Sequence, residues 1–183
     1  SVDNKNLPLA QTPIPLPEEK ATKLSDFINK IEYAILPEDT KVARIDKAQK
    51  FDNLYFLADY EITRGISIVN KNLTDITNIH NFGEGPGEYL TFLDFTINKS
   101  KKTVDLLSLN KLVRYNFEGK FLEEIKLPGI ISKIQHIEGD NYLLYKSKAL
   151  HENFKGPDNT SILWVWNSLS NELTRIPSPI ELE

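Results

Sequence analysis

Residues 53–80 read NLYFLADYEITRGISIVNKNLTDITNIH, and this stretch decides the fold. Three short runs, NLYFLAD (53–59), GISIVN (65–70) and LTDITNIH (73–80), are rich in Leu, Ile, Val, Phe and Tyr. Apolar and polar residues tend to alternate, as in strands with one face buried. The connectors carry Gly, Asn, Asp and Lys, the residues of tight hairpin turns.

The same order recurs downstream. TVDLLSL (103–109), KLVRYN (111–116) and FLEEIKL (121–127) follow it, then NYLLYKS (141–147), SILWVWN (161–167) and NELTRIP (171–177). Each trio ends on its most polar run. A further strand is expected ahead of each trio: KVARID (41–46), FLDFTIN (92–98) and ISKIQHIE (131–138). A four-stranded unit recurring at roughly 40–50 residues is the pattern of propeller blades. A β-sandwich also has many short strands but supplies no reason for this repeated order. The expected fold is therefore all-β and propeller-like, with three to four blades of four antiparallel strands.

Upstream, residues 1–23 carry Pro8, Pro13, Pro15 and Pro17 and read as an extended tether, set apart from a domain at 24–183. Proline fixes φ and removes an N–H donor, so the segment suits a spacer or a polyproline ligand. KLSDFINKIEYA (23–34) is the one helix candidate, with Ser25 or Asp26 as its cap. Tyr33 and Ile35 alternate as a strand would, and Pro37 stops it.

A formal net charge of -4 disfavours nucleic acid as a partner. No apolar run approaches the roughly 20 residues that span a bilayer. The start, SVDNKNLPLA, lacks the apolar core of a signal peptide, and the final Leu182-Glu183 is equally a natural end or a cloning remnant. The absence of cysteine removes thiol nucleophiles, Cys-ligated zinc and disulfides.

Between the first and second trios lies NFGEGPGEYLTF (81–92). Gly83, Gly85 and Gly87 tolerate positive φ, and Pro86 fixes a turn. Consecutive glycine N–H groups suit an anion nest, but Glu84 and Glu88 would repel phosphate and no Gly-Lys-Ser/Thr follows. Glu84, Glu88 and Asp94 are hard oxygen donors that suit calcium, although the spacing matches no dense ligand loop. In the structural reading this is a blade-to-blade crossover. Glu88 then accepts backbone or Arg hydrogen bonds, and Tyr89 packs between blades.

NFGEGPGEYLTFLDFTIN resembles the motif of six-bladed β-propellers abundant in Bacteroidetes, similar in turn to NHL-type propellers. INKIEYAILPE, NLYFLAD, ISIVN and LVRYNFEGKFLEEIKL are similar to successive elements of that family. The resemblance implies an exported cell-envelope protein, in the periplasm or on the outer-membrane surface, with a lipid anchor upstream of residue 1. It also implies six blades, about twice what this chain holds. Half a propeller is thus expected: a fragment, an abbreviated architecture, or an arc closed by a partner, in the sharpest version by a homodimer of two halves.

Other candidate residues are dispersed. His80, His136 and His151 form no metal-binding pair, although the first two could share one propeller face; ordinary surface histidines are the simpler reading. Trp164 and Trp166 share a strand face, suited to sugar stacking or to the core. The long loop 147–160 offers His151, Phe154, Lys155 and Asp158 as ligand contacts, beside Glu84, Glu88 and Tyr89. The expected function is a non-catalytic envelope module that binds a glycan, peptide or partner protein through blade loops. The alternatives are a metal-dependent propeller enzyme of lactonase or lyase type and an assembly protein completed by its partner.

Overall fold

In a computed structural model of the chain, residues 23, 25, 27–31, 33–146 and 162–176 are described. By its contacts the chain divides into Ser1–Ala34 and Ile35–Glu183. In the first unit, Ser25 lies in a 3₁₀ turn, and no described residue of 23–34 is α-helical. Tyr33 and Ile35 belong to no strand and are 96% and 92% exposed. Alternation alone does not make a strand when no neighbouring backbone accepts its hydrogen bonds.

Among its described residues the second unit holds twelve strands in three four-stranded antiparallel sheets. The first contains β1 (Lys47–Phe51), β2 (Leu54–Asp59), β3 (Gly65–Asn70) and β4 (Ile76–Ile79). The second contains β5 (Asp94–Asn98), β6 (Thr103–Ser108), β7 (Lys111–Asn116) and β8 (Phe121–Lys126). The third contains β9 (Lys133–Glu138), β10 (Asn141–Tyr145), β11 (Leu163–Asn167) and β12 (Leu173–Arg175). Each sheet is a meander in chain order, as in a propeller blade. The first strands face one another, with β5 packed on β9 and β1 beside β5, so they form the inner edge of the arc.

One sequence expectation fails here. The first inner strand is KAQKF at 47–51, not KVARID at 41–46. Asp59 Oδ2 accepts the N–H groups of Ala43 and Arg44 at 3.1 and 3.0 Å. The backbone there is satisfied by a side chain and bends instead of pairing with a strand.

The hairpins share one device. Asp52, Arg64, Leu73, Lys102, Leu109, Gly119, Gly139 and Asn171 all have φ between 46° and 75°, and each lies in a connection between consecutive strands of one sheet. Such a residue turns the chain in the sense that matches strand twist.

Two apolar clusters lie between neighbouring sheets. One joins Phe56, Ile66 and Ile68 of the first sheet to Phe95, Leu106, Val113 and Tyr115 of the second. The other joins Leu107 and Leu112 to Ile134, Tyr142, Leu144, Trp164 and Trp166 of the third. Strand alternation explains the division: Leu106 and Val113 point one way, Leu107 and Leu112 the other. The second sheet is therefore covered on both faces.

Candidate functional site

The glycine loop clasps the first two sheets. Gly87 has φ 75°, and a Cβ there would sit 2.5 Å from Phe121 Cγ. At Gly83 a Cβ would meet Glu88 Oε2 at 2.1 Å. Glu88 folds back, its Oε2 accepting the Gly85 N–H at 2.7 Å. The Gly87 N–H donates to Glu124 Oε1 at 3.2 Å. The Lys111 ammonium spans Glu124 Oε1 at 2.9 Å and the Glu88 carbonyl at 3.1 Å. Two N–H groups suited to an anion are thus already occupied by carboxylates of this chain. Lys111 holds the Glu124 carboxyl below its usual range.

Tyr89 is fully buried, and its hydroxyl donates toward the carbonyls of Arg64 (2.8 Å) and Ile79 (3.2 Å). From the second sheet, Tyr115 donates to the Gly87 carbonyl at 2.5 Å, and burial pushes its phenol up to about 12. Glu84 and Pro86 stand exposed at the tip.

On the inner edge, Asp94 is 2% exposed and joins all three sheets. Its Oδ1 accepts from Lys47 Nζ at 2.8 Å and from the Tyr60 hydroxyl at 2.9 Å; its Oδ2 accepts from the Ile134 N–H at 2.9 Å. Thr96 Oγ1 accepts the His136 N–H at 2.9 Å, and Gln49 Oε1 the Ile97 N–H at 3.2 Å. Asp94 is thereby removed from the calcium set expected with Glu84 and Glu88. Among the described residues no three His, Asp or Glu side chains gather as metal ligands. The rings of His80 and His136 bond to the carbonyls of Thr63 and Gly139 in their own sheets, and they do not converge on one site.

Beside the apolar cluster between the second and third sheets lies a polar network that crosses through the Tyr142 hydroxyl. Arg114, 2% exposed, donates from Nε and Nη2 to the two carboxylate oxygens of Asp105 at 2.7 and 3.2 Å. It also bonds Glu123 and the Tyr142 hydroxyl oxygen. Tyr142 donates to Asp105 Oδ2 at 2.6 Å and accepts from Asn98 Nδ2 at 2.8 Å. Burial acts to lower the Arg114 pKa, but the hydrogen bonds and charge of Asp105 outweigh it, so the guanidinium stays charged.

Beside this network opens a cleft of about 880 Å³. Leu127, Pro128, Gly129 and Ile130 of the crossover between the second and third sheets form one wall, and Trp166 and Leu173 the other. Asn110, Ser168 and Asn171 supply amides and a hydroxyl, and Lys126 an exposed ammonium. Trp166, 1% exposed, forms the back wall, and its indole N–H is fixed by Asn171 Oδ1 at 2.9 Å. Trp164 is fully buried, so the tryptophan pair belongs to the core rather than to a stacking platform.

The structure thus brings Gly83, Gly85, Pro86, Gly87, Glu84, Glu88 and Tyr89 together in one clasp. His151, Phe154, Lys155 and Asp158 lie outside the described residues. Sequence reasoning missed the cleft because Asn110, Lys126 and Asn171 come from three separate chain segments. Only their common fate as strand-end or turn residues hinted at a shared rim.

Two of the solved structures that match this chain are similar to it in fold. A protein of Bacteroides fragilis designated as exported (BF0058) matches with TM-score 0.59 and 21% identity, over 76% of this chain and 38% of its own. A DUF4221 family member from Bacteroides vulgatus matches with TM-score 0.54 and 12% identity, over 78% of this chain and 45% of its own. The chain therefore spans less than half the length of either. No protein of curated function matches. The family model of the 6-bladed β-propellers called DUF5128 matches residues 6–165, which hold the first two sheets and the first two strands of the third, and this chain belongs to that family.

Proposed function

We propose that this chain is a non-catalytic recognition and scaffold module of an exported, envelope-associated protein. It binds a glycan or short peptide in the cleft between the second and third sheets. The observation that carries this reading is the cleft itself: about 880 Å³, lined by Leu127, Ile130, Trp166 and Leu173 together with the amides of Asn110 and Asn171 and with Lys126. Concave sites of this size that combine apolar side chains with convergent polar groups suit small ligands. They also sit on blade loops, where a rigid sheet scaffold holds variable residues. Export is supported by the designation of the Bacteroides fragilis neighbour, which shares the fold. The polar groups of the glycine loop and inner strands, in contrast, are taken up in holding sheets together.

Trp166 lines the cleft and is one of two tryptophans, so intrinsic fluorescence reports occupancy. Neutral oligosaccharides and short peptides are titrated against the wild-type chain and Asn110→Phe, which fills the cleft from an exposed position. A saturable change in the wild type, lost in the variant, supports the reading. No change with either ligand class up to millimolar concentration overturns it.

A further inference from the structure

Each sheet ends outward in one strand: β4, β8 or β12. β4 and β12 have four and three residues, and the Asn78 side chain ties the backbone of Asp39 and Lys41 to β4. β8 has six residues, and among the described residues it pairs with β7 alone.

The direction of its free backbone groups follows from the register. The Leu127 N–H donates to the Asn110 carbonyl at 2.8 Å. Lys126 stands opposite Lys111, and Glu124 opposite Val113. Antiparallel alternation then turns the N–H and C=O of Glu123, Ile125 and Leu127 inward to β7, and those of Glu124 and Lys126 outward. Arg114 and Tyr115 face Glu123 and Phe121, so Leu122 is the extra residue of a bulge. The free edge thus runs from that bulge to Pro128, which has no N–H.

This edge borders a groove. A pocket of about 280 Å³ lies beside Glu123, Glu124, Ile125 and Lys126, with Asp140 and Leu169 from turns of the third sheet across it. Lys126 and Ser168 also line the 880 Å³ cleft, so pocket and cleft are continuous. The other charges along it are neutralised within the chain: Arg114 holds Glu123, Lys101 holds Asp140, and Lys111 holds Glu124. Lys126 is exposed and pairs with no described carboxylate.

We propose that an extended peptide adds to β8 as a fifth strand of the second sheet, its backbone exchanging hydrogen bonds with Glu124 and Lys126. Resting on the recognition role proposed for the cleft, this assignment narrows its ligand to peptide: outward N–H and C=O groups along a strand are matched by another peptide backbone. Residues opposite one another on adjacent strands share a face. An Asp or Glu of the peptide beside Lys126 therefore supplies the missing counter-charge. Its neighbour points to the other face, where a large apolar side chain enters the cleft against Leu127 and Ile130.

The probe is a terminally blocked heptapeptide, Thr-Leu-Thr-Leu-Glu-Leu-Thr. Its controls are a copy with Lys in place of Glu and a copy with an N-methylated backbone. Each is titrated against the intact chain by tryptophan fluorescence and by amide exchange. The Glu peptide is expected to saturate and to slow exchange at the Glu124 and Lys126 amides. Both controls are expected to bind about tenfold more weakly, the scale of one lost hydrogen bond or ion pair. Lys126→Pro removes an outward N–H from an edge strand and is expected to weaken the Glu peptide by about tenfold with unchanged circular dichroism. Lys126→Glu, a charge reversal at an exposed position, is expected to turn the preference toward the Lys peptide. Binding that leaves Glu124 and Lys126 unprotected, or that survives N-methylation, overturns strand addition and leaves the cleft itself as the site. Binding of neutral oligosaccharides without binding of the peptide overturns it too, with the recognition role intact. Silence with both ligand classes overturns both.

Discussion

Asp94 accepts the backbone N–H of Ile134 at 2.9 Å, so a carboxylate of the second sheet ends the exposed strand edge of the third. Its other oxygen holds Lys47 of the first sheet. A single side chain thereby sets the spacing of three sheets at the inner edge.

Asp94→Ala should cost about 3 kcal/mol, because it removes the bonds from Lys47 and Tyr60 and leaves the buried Ile134 N–H without its acceptor. Asp94→Asn should cost less, since the amide oxygen can keep one of these bonds. Urea unfolding of the two variants checks the order.

The clasp makes a steric prediction. Gly87→Ala forces a Cβ onto the Phe121 ring at a left-handed φ, and should cost about 2–3 kcal/mol. Tyr89→Phe keeps the packing but removes the bond to the Arg64 carbonyl, and should cost about 1 kcal/mol. Thermal unfolding separates the two.

Arg114→Ala is expected to be among the most damaging single changes, at about 3–5 kcal/mol, because Asp105 is fully buried and loses its counter-charge. Asp105→Asn combined with Arg114→Met should recover part of that loss. The double-mutant cycle measures how much.

His80 gives an acid dependence. Burial lowers its pKa below the usual imidazole value, against the opposing bond to the Thr63 carbonyl. No protein group bonds its Nε2. As pH falls through the ordinary histidine range, the unfolded chain takes up the proton first. The contribution is thus fully present above about pH 6.5 and is lost below it, down to the folded value. Stability measured from pH 7.5 to 5 should fall, and His80→Gln should flatten that slope.

Most of the strands were legible because their faces are buried. TVDLLS and KLVRYN present apolar residues to two neighbouring sheets, GISIVN is buried along all but its last residue, and burial is what hydrophobic patterning records. The first inner strand was not legible. KAQKF has one large apolar residue, since an inner-edge strand at the end of the arc has little to pack against. Val42 and Ile45 invited a strand at 41–46, yet Ile45 is 51% exposed and the backbone there is capped by Asp59. The glycine clasp was legible from Gly83 to Tyr89 because its requirement is backbone geometry encoded locally. The cleft was not, because its rim residues meet only after the second and third sheets dock.

Every sheet is built from strands consecutive in the chain, so each is complete before the next is made. Such local connectivity lowers the loop-closure entropy of each step and favours fast, sequential folding from the N-terminal side during synthesis. It also makes stability behave as a sum of neighbour terms along one dimension. Among the described residues the second sheet has a neighbouring sheet on each face and the outer two have one. Amide exchange should therefore be slowest in β6 and β7, and opening should begin at the ends of the arc and travel inward.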